Sequence, residues 1–331
     1  MPQFDCTKGE EHIENCSRQQ ICQEQYNYTV NYSNSTSLDN WVGQLGLVCK
    51  SGEEIGLLSS MFFVGWACTT LILPPMADKY GRKWIFRISI LITVTAMFFM
   101  QFSKSLQTTY FLMFTCGAVT AGKISVGFVY GSEFYPEKFR SLFGTVFLGV
   151  DAFTVCLSAF FFGNLSRNAN QFLAFGVFWG IVGLVIHWQY VCESPLWQLK
   201  VGRVESAKSS LRKILLFNNG VQSIQGLEML QKPPEDELPK ESIRFFLKQK
   251  TIITNLLVMT YMWASCSFTY YMIAIYVKYI PGSIYLNMFG SGIAEVLANV
   301  VAGIMFTKFG IKKSFAILFA LSIFGATCIL L

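Results

Sequence analysis

Three ionisable side chains interrupt stretches of sequence that are otherwise apolar: Lys123, Asp151 and Glu295. A charge at the centre of a bilayer costs about 2.5 to 3.5 kcal/mol on insertion scales, and residues of this kind face a protein interior or a water-filled cavity. The three should therefore point inward and lie within reach of one another or of one polar cavity. Two acids and one base favour a cationic solute or a proton. The same residues can also form a structural lock, with Lys123 bridging Asp151 or Glu295. Trp263, Tyr270 and Tyr271, with Tyr261 and Phe268, offer aromatic faces on which an organic cation can stack, although packing is the role expected of most of them. Lys123, Asp151, Glu295, Trp263, Tyr270 and Tyr271 are the candidate solute-path residues.

Bond-making chemistry has no such candidates. The chain holds two histidines, His12 and His187, so neither a His-rich metal site nor a buried Ser/His/Asp group is expected. No phosphate loop of the Gly-x-x-x-x-Gly-Lys type is present. The expected function needs no cofactor and no metal, and the chain is not read as an enzyme. His187, beside Trp188 near the end of an apolar run, suits an interfacial role.

The elements that must position these residues are membrane helices. The 331 residues are 53% hydrophobic and 14% charged, where a soluble domain would carry about a quarter charged residues. Apolar runs occur at 55–77, 88–103, 108–130, 142–163, 172–191, 252–276, 284–306 and 314–331. A run of about 20 residues crosses the hydrocarbon core as a helix. The runs lack the polar face of a soluble bundle and the period-two alternation of a transmembrane barrel, as in Leu91–Met100. The fold expected is an all-α polytopic membrane protein with about eight transmembrane helices. Residues 1–54 form a Cys-rich outer loop, 55–191 five spans, 192–250 an inner loop with an amphipathic helix at 205–216 and a breaker at Pro233-Pro234, and 251–331 three spans.

Alternate connecting segments carry 19 and six Lys and Arg, which places the basic side in the cytoplasm and residues 1–54 outside. The net charge of +6 thus reflects topology and gives no support for nucleic-acid binding. The sequons at Asn15, Asn27, Asn31, Asn34 and Asn164 all fall on the outer side as glycosylation candidates. Cys6, Cys16, Cys22 and Cys49 share the outer loop, where they can form two disulfides in any of three pairings. These features favour the plasma membrane and leave an organellar membrane open.

The turn Asp78-Lys79-Tyr80-Gly81-Arg82-Lys83 is echoed by Thr307-Lys308-Phe309-Gly310-Ile311-Lys312-Lys313 on the same membrane face. Parallel repeats of this kind occur in transporters. With Glu133, Pro136 and Arg140, the run Glu193-Ser194-Pro195-x-Trp197 followed by Gly202-Arg203, and then Tyr270-Tyr271, Tyr285-Leu286-Asn287 and Glu295, the sequence resembles the organic cation/anion transporter family of the major facilitator superfamily. The Cys-rich outer loop ending in Leu47-Val48-Cys49 is similar to that family's large first extracellular loop. Departures are Pro74 and Leu196, where the family has Gly and Arg, and Thr307, where the repeat has Asp. The resemblance implies a twelve-helix, major-facilitator-type bundle, of which this chain looks to lack the first helix and the last three.

On this reading Lys123, Asp151 and Glu295 line or flank a central cavity, with Glu295 the strongest single candidate. Asp78, Gly81, Arg82, Lys83, Glu133, Arg140 and Glu193 suit a gate, since salt bridges between inner turns can hold one conformation and break in another. The expected function is secondary transport or facilitation of small organic ions, cations favoured, by alternating access, with membrane lipid as surroundings. The alternative is a truncated, transporter-like subunit that acts as a scaffold among other membrane subunits.

Overall fold

The structure, a computed structural model, describes residues 3–8, 11–14, 16–22, 26–32, 37–218 and 248–330. Asn15, Asn34, Pro233-Pro234 and residues 219–247 of the long loop lie outside the described residues.

The chain is an all-α membrane protein apart from its first 30 residues. Among the described residues, seven helices are long and apolar enough to cross a membrane, and a bent pair, counted as one span, makes an eighth. After the short helices α1 (Arg18–Cys22) and α2 (Trp41–Gln44), that pair is α3 (Gly52–Thr70) and α4 (Leu73–Tyr80), which meet at 42°. The apolar run 55–77 is thus one span broken in two. Pro74 and Pro75 supply the reason: they lack N–H donors and start α4 instead of continuing α3. Ser51 opens α3 with a capping box, its hydroxyl accepting from the Glu54 amide while the Glu54 carboxylate accepts from the Ser51 amide.

The second span is α5 (Arg82–Met100). The third is interrupted twice, as α6 (Leu106–Ala118), α7 (Thr120–Lys123) and α8 (Ser125–Ser132). Next come α9 (Glu137–Phe160), extended by a π-turn over Phe161–Leu165, and α10 (Ala169–Tyr190). Two short helices follow, α11 (Pro195–Lys200) and α12 (Val204–Phe217), the second matching the expected amphipathic segment. The last spans are α13 (Lys250–Tyr276), α14 (Ile284–Phe309) and α15 (Ile311–Leu330). Most of their apolar side chains are exposed, as lipid-facing residues are.

α3 packs on α6, α5 on α10, and α9 on α14. The last pairing positions the candidate solute path. At Gly292 an added Cβ would meet Cys156 Sγ at 2.6 Å and the Cys156 amide nitrogen at 3.0 Å, so only glycine lets α9 and α14 approach this closely.

The repeated turns share a backbone device. Gly81 separates α4 from α5 at φ 113°, and Gly310 separates α14 from α15 at φ 77°. Each lets a helix stop and the next begin without a linker.

The first 30 residues are more ordered than a plain loop. Strands β1 (Phe4–Lys8), β2 (Glu11–Ile13) and β3 (Asn27–Val30) form an antiparallel sheet in the order β2-β1-β3. Cys6 pairs with Cys16 and Cys22 with Cys49, one of the three pairings open to the sequence. The segment docks onto the α9–α10 connection. Asp39 accepts from Asn168 Nδ2 at 2.7 Å, and its backbone bridges Arg167 and Ala169.

Candidate functional site

Two polar assemblies interrupt the apolar bundle. The first lies at the basic end and joins the α4–α5 turn to the segments after α8 and α10. Gly81 has no side chain to cap α5, so the first amides of that helix need an external acceptor. Glu193 supplies it: its Oε1 accepts from the amides of Arg82 at 3.2 Å and Lys83 at 3.1 Å, and from Ser194 at 3.0 Å. A carboxylate at the positive end of a helix is also electrostatically favourable. A Cβ on residue 81 would lie 2.5 Å from Glu193 Oε2, so the glycine serves both the turn and the acceptor.

Arg82 is the centre of the assembly. Its guanidinium is 2.8 Å from Glu133 and 3.3 Å from Asp78, with Glu133 almost fully enclosed and Asp78 largely exposed. Ser194 donates to Glu133 at 2.6 Å and caps α11 by accepting from the Trp197 amide. The Trp197 indole donates to the Asp78 carbonyl at 2.7 Å, buried beneath Arg203. Asp78, Gly81, Arg82, Lys83, Glu133 and Glu193, each expected at a gate, therefore meet in one clasp. Arg140 does not join it; it is half exposed and lies 3.9 Å from Glu137, one turn away on its own helix.

Beside the clasp, Arg87 is buried and reaches the end of α10. It donates to the carbonyls of His187 and Trp188 at 2.9 and 3.0 Å, and from Nε to His187 Nδ1 at 3.1 Å. Its guanidinium also stacks on Trp188. His187, expected at the interface, is instead buried as this acceptor. Sequence reasoning missed the contact because its partners are 100 residues apart.

The second assembly lies mid-span between α9, α13 and α14. A cavity of about 580 Å³ is lined by Glu295, Tyr270, Ser158 and Ser291, with Met288 and Ile273 among its apolar walls. The Tyr270 hydroxyl lies 3.4 Å from Glu295 Oε2, and Asp151 is near enough for its charge to act on both. Two acids and a phenol thus share one region.

Lys123 stands apart. No carboxylate lies within 4 Å of it among the described residues. The expected bridge from Lys123 to Asp151 or Glu295 is not formed, because Lys123 sits in the α7 segment packed against α5 while the acids lie on α9 and α14. Tyr271 packs edge-on against Phe63 of α3, 5.2 Å between centroids. Trp263 is 77% exposed and does not line the cavity.

Among the described residues, no group of three or more His, Cys, Asp or Glu converges as a metal site would require. Asn27 and Asn31 are on and beside β3, whereas Asn164 sits in the π-turn, its amide donating to the Phe160 carbonyl.

A family model described as "Sugar (and other) transporter" matches residues 16–307. Similar curated proteins include solute carrier family 22 member 4 of Mus musculus, 23% identical over 293 residues, which are 87% of this chain and 51% of that protein. Organic cation/carnitine transporter 2 of Homo sapiens is 24% identical with the same coverage. Organic cation transporter 1 of Caenorhabditis elegans is 24% identical over 278 residues, 80% of this chain and 46% of that protein. The chain spans about half the length of the curated relatives it matches.

Proposed function

We propose that this chain, which belongs to the sugar (and other) transporter family, carries the path by which small organic cations cross a membrane. The observation that carries the reading is the Glu295–Tyr270 pair in its mid-span cavity, with Asp151 beside it. An organic cation needs a carboxylate to balance its charge, aromatic faces to stack on, and apolar walls for its substituents. The cavity supplies the Glu295 carboxylate, one aromatic ring, that of Tyr270, and apolar walls, and its volume falls within the range of small-molecule sites, about 300 to 1,000 Å³. The printed names of the organic cation and organic cation/carnitine transporters among its relatives agree with that chemistry.

The clasp at the basic end suits alternating access. The Arg82–Glu133 pair ties the α4–α5 turn to the segment after α8, and a salt bridge of this kind between inner turns can hold one state and break in another. The disulfide-bearing end faces outward and the basic end the cytoplasm, at the plasma membrane, with Asn27 and Asn31 glycosylated.

The test is uptake of a labelled quaternary ammonium ion into cells expressing the chain. Glu295→Gln should reduce uptake while surface expression stays near wild type. Uptake unchanged in Glu295→Gln, at matched expression, would remove the cavity from the path.

A further inference from the structure

Four polar side chains line the mid-span cavity: Glu295 and Ser291 on α14, Tyr270 on α13 and Ser158 on α9. No lysine, arginine, histidine or side-chain amide stands with them among the described residues. Two of the three hydroxyl donors are already engaged. Tyr270 donates to Glu295 Oε2 across 3.4 Å, and Ser158 donates to the Val155 carbonyl at 2.8 Å. The oxygen of each still has lone pairs to offer. Ser291 lies one turn before Glu295 on the same helix and makes no hydrogen bond among the described residues. Residues at that spacing are neighbours, about 5 to 6 Å between Cβ atoms. The wall therefore offers mainly acceptors, and a solute that fits it must bring donors.

The carboxylate itself is under-satisfied. An ionised carboxylate has about four lone-pair sites, and its contacts to hydroxyl donors are normally about 2.5 to 2.7 Å long. Glu295 has its one contact at 3.4 Å, with no ammonium or guanidinium within 4 Å among the described residues. A donor that is also cationic would make the shorter bond.

Aromatic surface is scarce by comparison. Quaternary ammonium ions carry no N–H and are recognised by cages of aromatic rings. Of the aromatic residues along α13, Tyr270 lines the cavity, while Trp263 is 77% exposed and Tyr271 packs on Phe63. The apolar lining is aliphatic and thioether, with Ile273, Val277, Ile284 and Met288.

Resting on the reading of this cavity as the solute site, we propose that it selects protonated amines, cations with N–H donors on an apolar body, over quaternary ammonium ions. The ammonium hydrogens meet the Glu295 carboxylate and the hydroxyl oxygens, which replace the water the amine sheds on entry. A quaternary head leaves those acceptors dehydrated and unpaired, the condition under which a hydrogen-bonding site rejects an analogue.

The test compares 2-phenylethylamine with its N,N,N-trimethyl derivative, two monocations of one apolar body at neutral pH. Binding is measured by calorimetric titration of the purified full chain in detergent. In a site of charge and apolar wall alone, three added methyls would favour the quaternary ion. The amine should instead bind tighter by about tenfold, the equivalent of one charge-assisted hydrogen bond. Ser291→Ala and Tyr270→Phe, each shown by thermal unfolding to be folded, should narrow that ratio to about threefold or less. Glu295→Gln should weaken both ligands. Equal affinities, or a tighter quaternary ion, would overturn the selectivity and leave the cavity standing as a cation site. So would a ratio that neither Ser291→Ala nor Tyr270→Phe moves. Binding of neither ligand by the wild-type chain, or affinities untouched by Glu295→Gln, would sink the solute-path reading together with this one.

Discussion

Glu193 holds the amides of Arg82 and Lys83 from 111 and 110 residues away, so the start of one span is capped by a carboxylate that follows another. The cap ties α5 to the segment after α10, and the glycine at 81 leaves room for it. Glu193→Ala should therefore leave the α5 amides unpaired and destabilise that end by about 1 to 2 kcal/mol. Faster tryptic cleavage at Arg82 and Lys83 in detergent would report the loosening. A cleavage rate equal to wild type would count against the cap.

The Arg82–Glu133 pair is nearly enclosed, and breaking one side of it leaves a stranded charge. Glu133→Gln should cost about 3 to 5 kcal/mol of stability. Replacing both residues with methionine should recover most of it, because an apolar pair carries no unpaired charge. Thermal unfolding of the three variants in one detergent tests this, and a double variant no better than the single would show that the ion pair is not the cause.

Arg87 makes three hydrogen bonds to the end of α10, two of them to carbonyls of its last turn, of which that of His187 also accepts from the Val191 amide. Arg87→Lys keeps the charge but cannot reproduce the planar fork, so it should be nearly as destabilising as Arg87→Met. Near-complete rescue of thermal stability by lysine would reduce the contact to charge alone.

How much of this was legible in the sequence differs from element to element. The spans were, because a charge-free run of about 20 residues has few other solutions. The break at Pro74-Pro75 sat inside one of those runs and needed the rule for proline after a helix to be applied against the run's length. The outer sheet was not legible: β2 and β3 are three and four residues long, held by disulfides and docking more than by an alternating pattern. In the clasp, residue types pointed to Arg82, Glu133 and Glu193. They could not tell that Glu193 serves backbone amides while Glu133 takes the guanidinium, since that depends on where two distant segments cross. Arg140 carries the same charge as Arg82, but its position on α9 turns it toward Glu137.

The separation of Lys123 from the two acids leads to the last prediction. Asp151 and Glu295 share one region with Tyr270, whereas Lys123 has no carboxylate within 4 Å among the described residues. Double-mutant cycles separate these arrangements, because residues far apart with no shared partner add to within about 0.3 to 0.5 kcal/mol. Lys123→Met and Glu295→Gln should therefore combine additively in thermal stability, each effect independent of the other. Asp151→Asn and Glu295→Gln should not. Neutralising either acid relieves the repulsion on its neighbour, so the second neutralisation gains less than the first, with a coupling of about 0.5 kcal/mol or more. The same pair should interact in uptake of a quaternary ammonium ion. One remaining carboxylate can still balance the solute's charge, so the double variant should lose more than the product of the two single losses. A coupling between Lys123 and Glu295 as large as that between the two acids would mean that the lysine reaches the cavity after all, and the division between the two regions would fall.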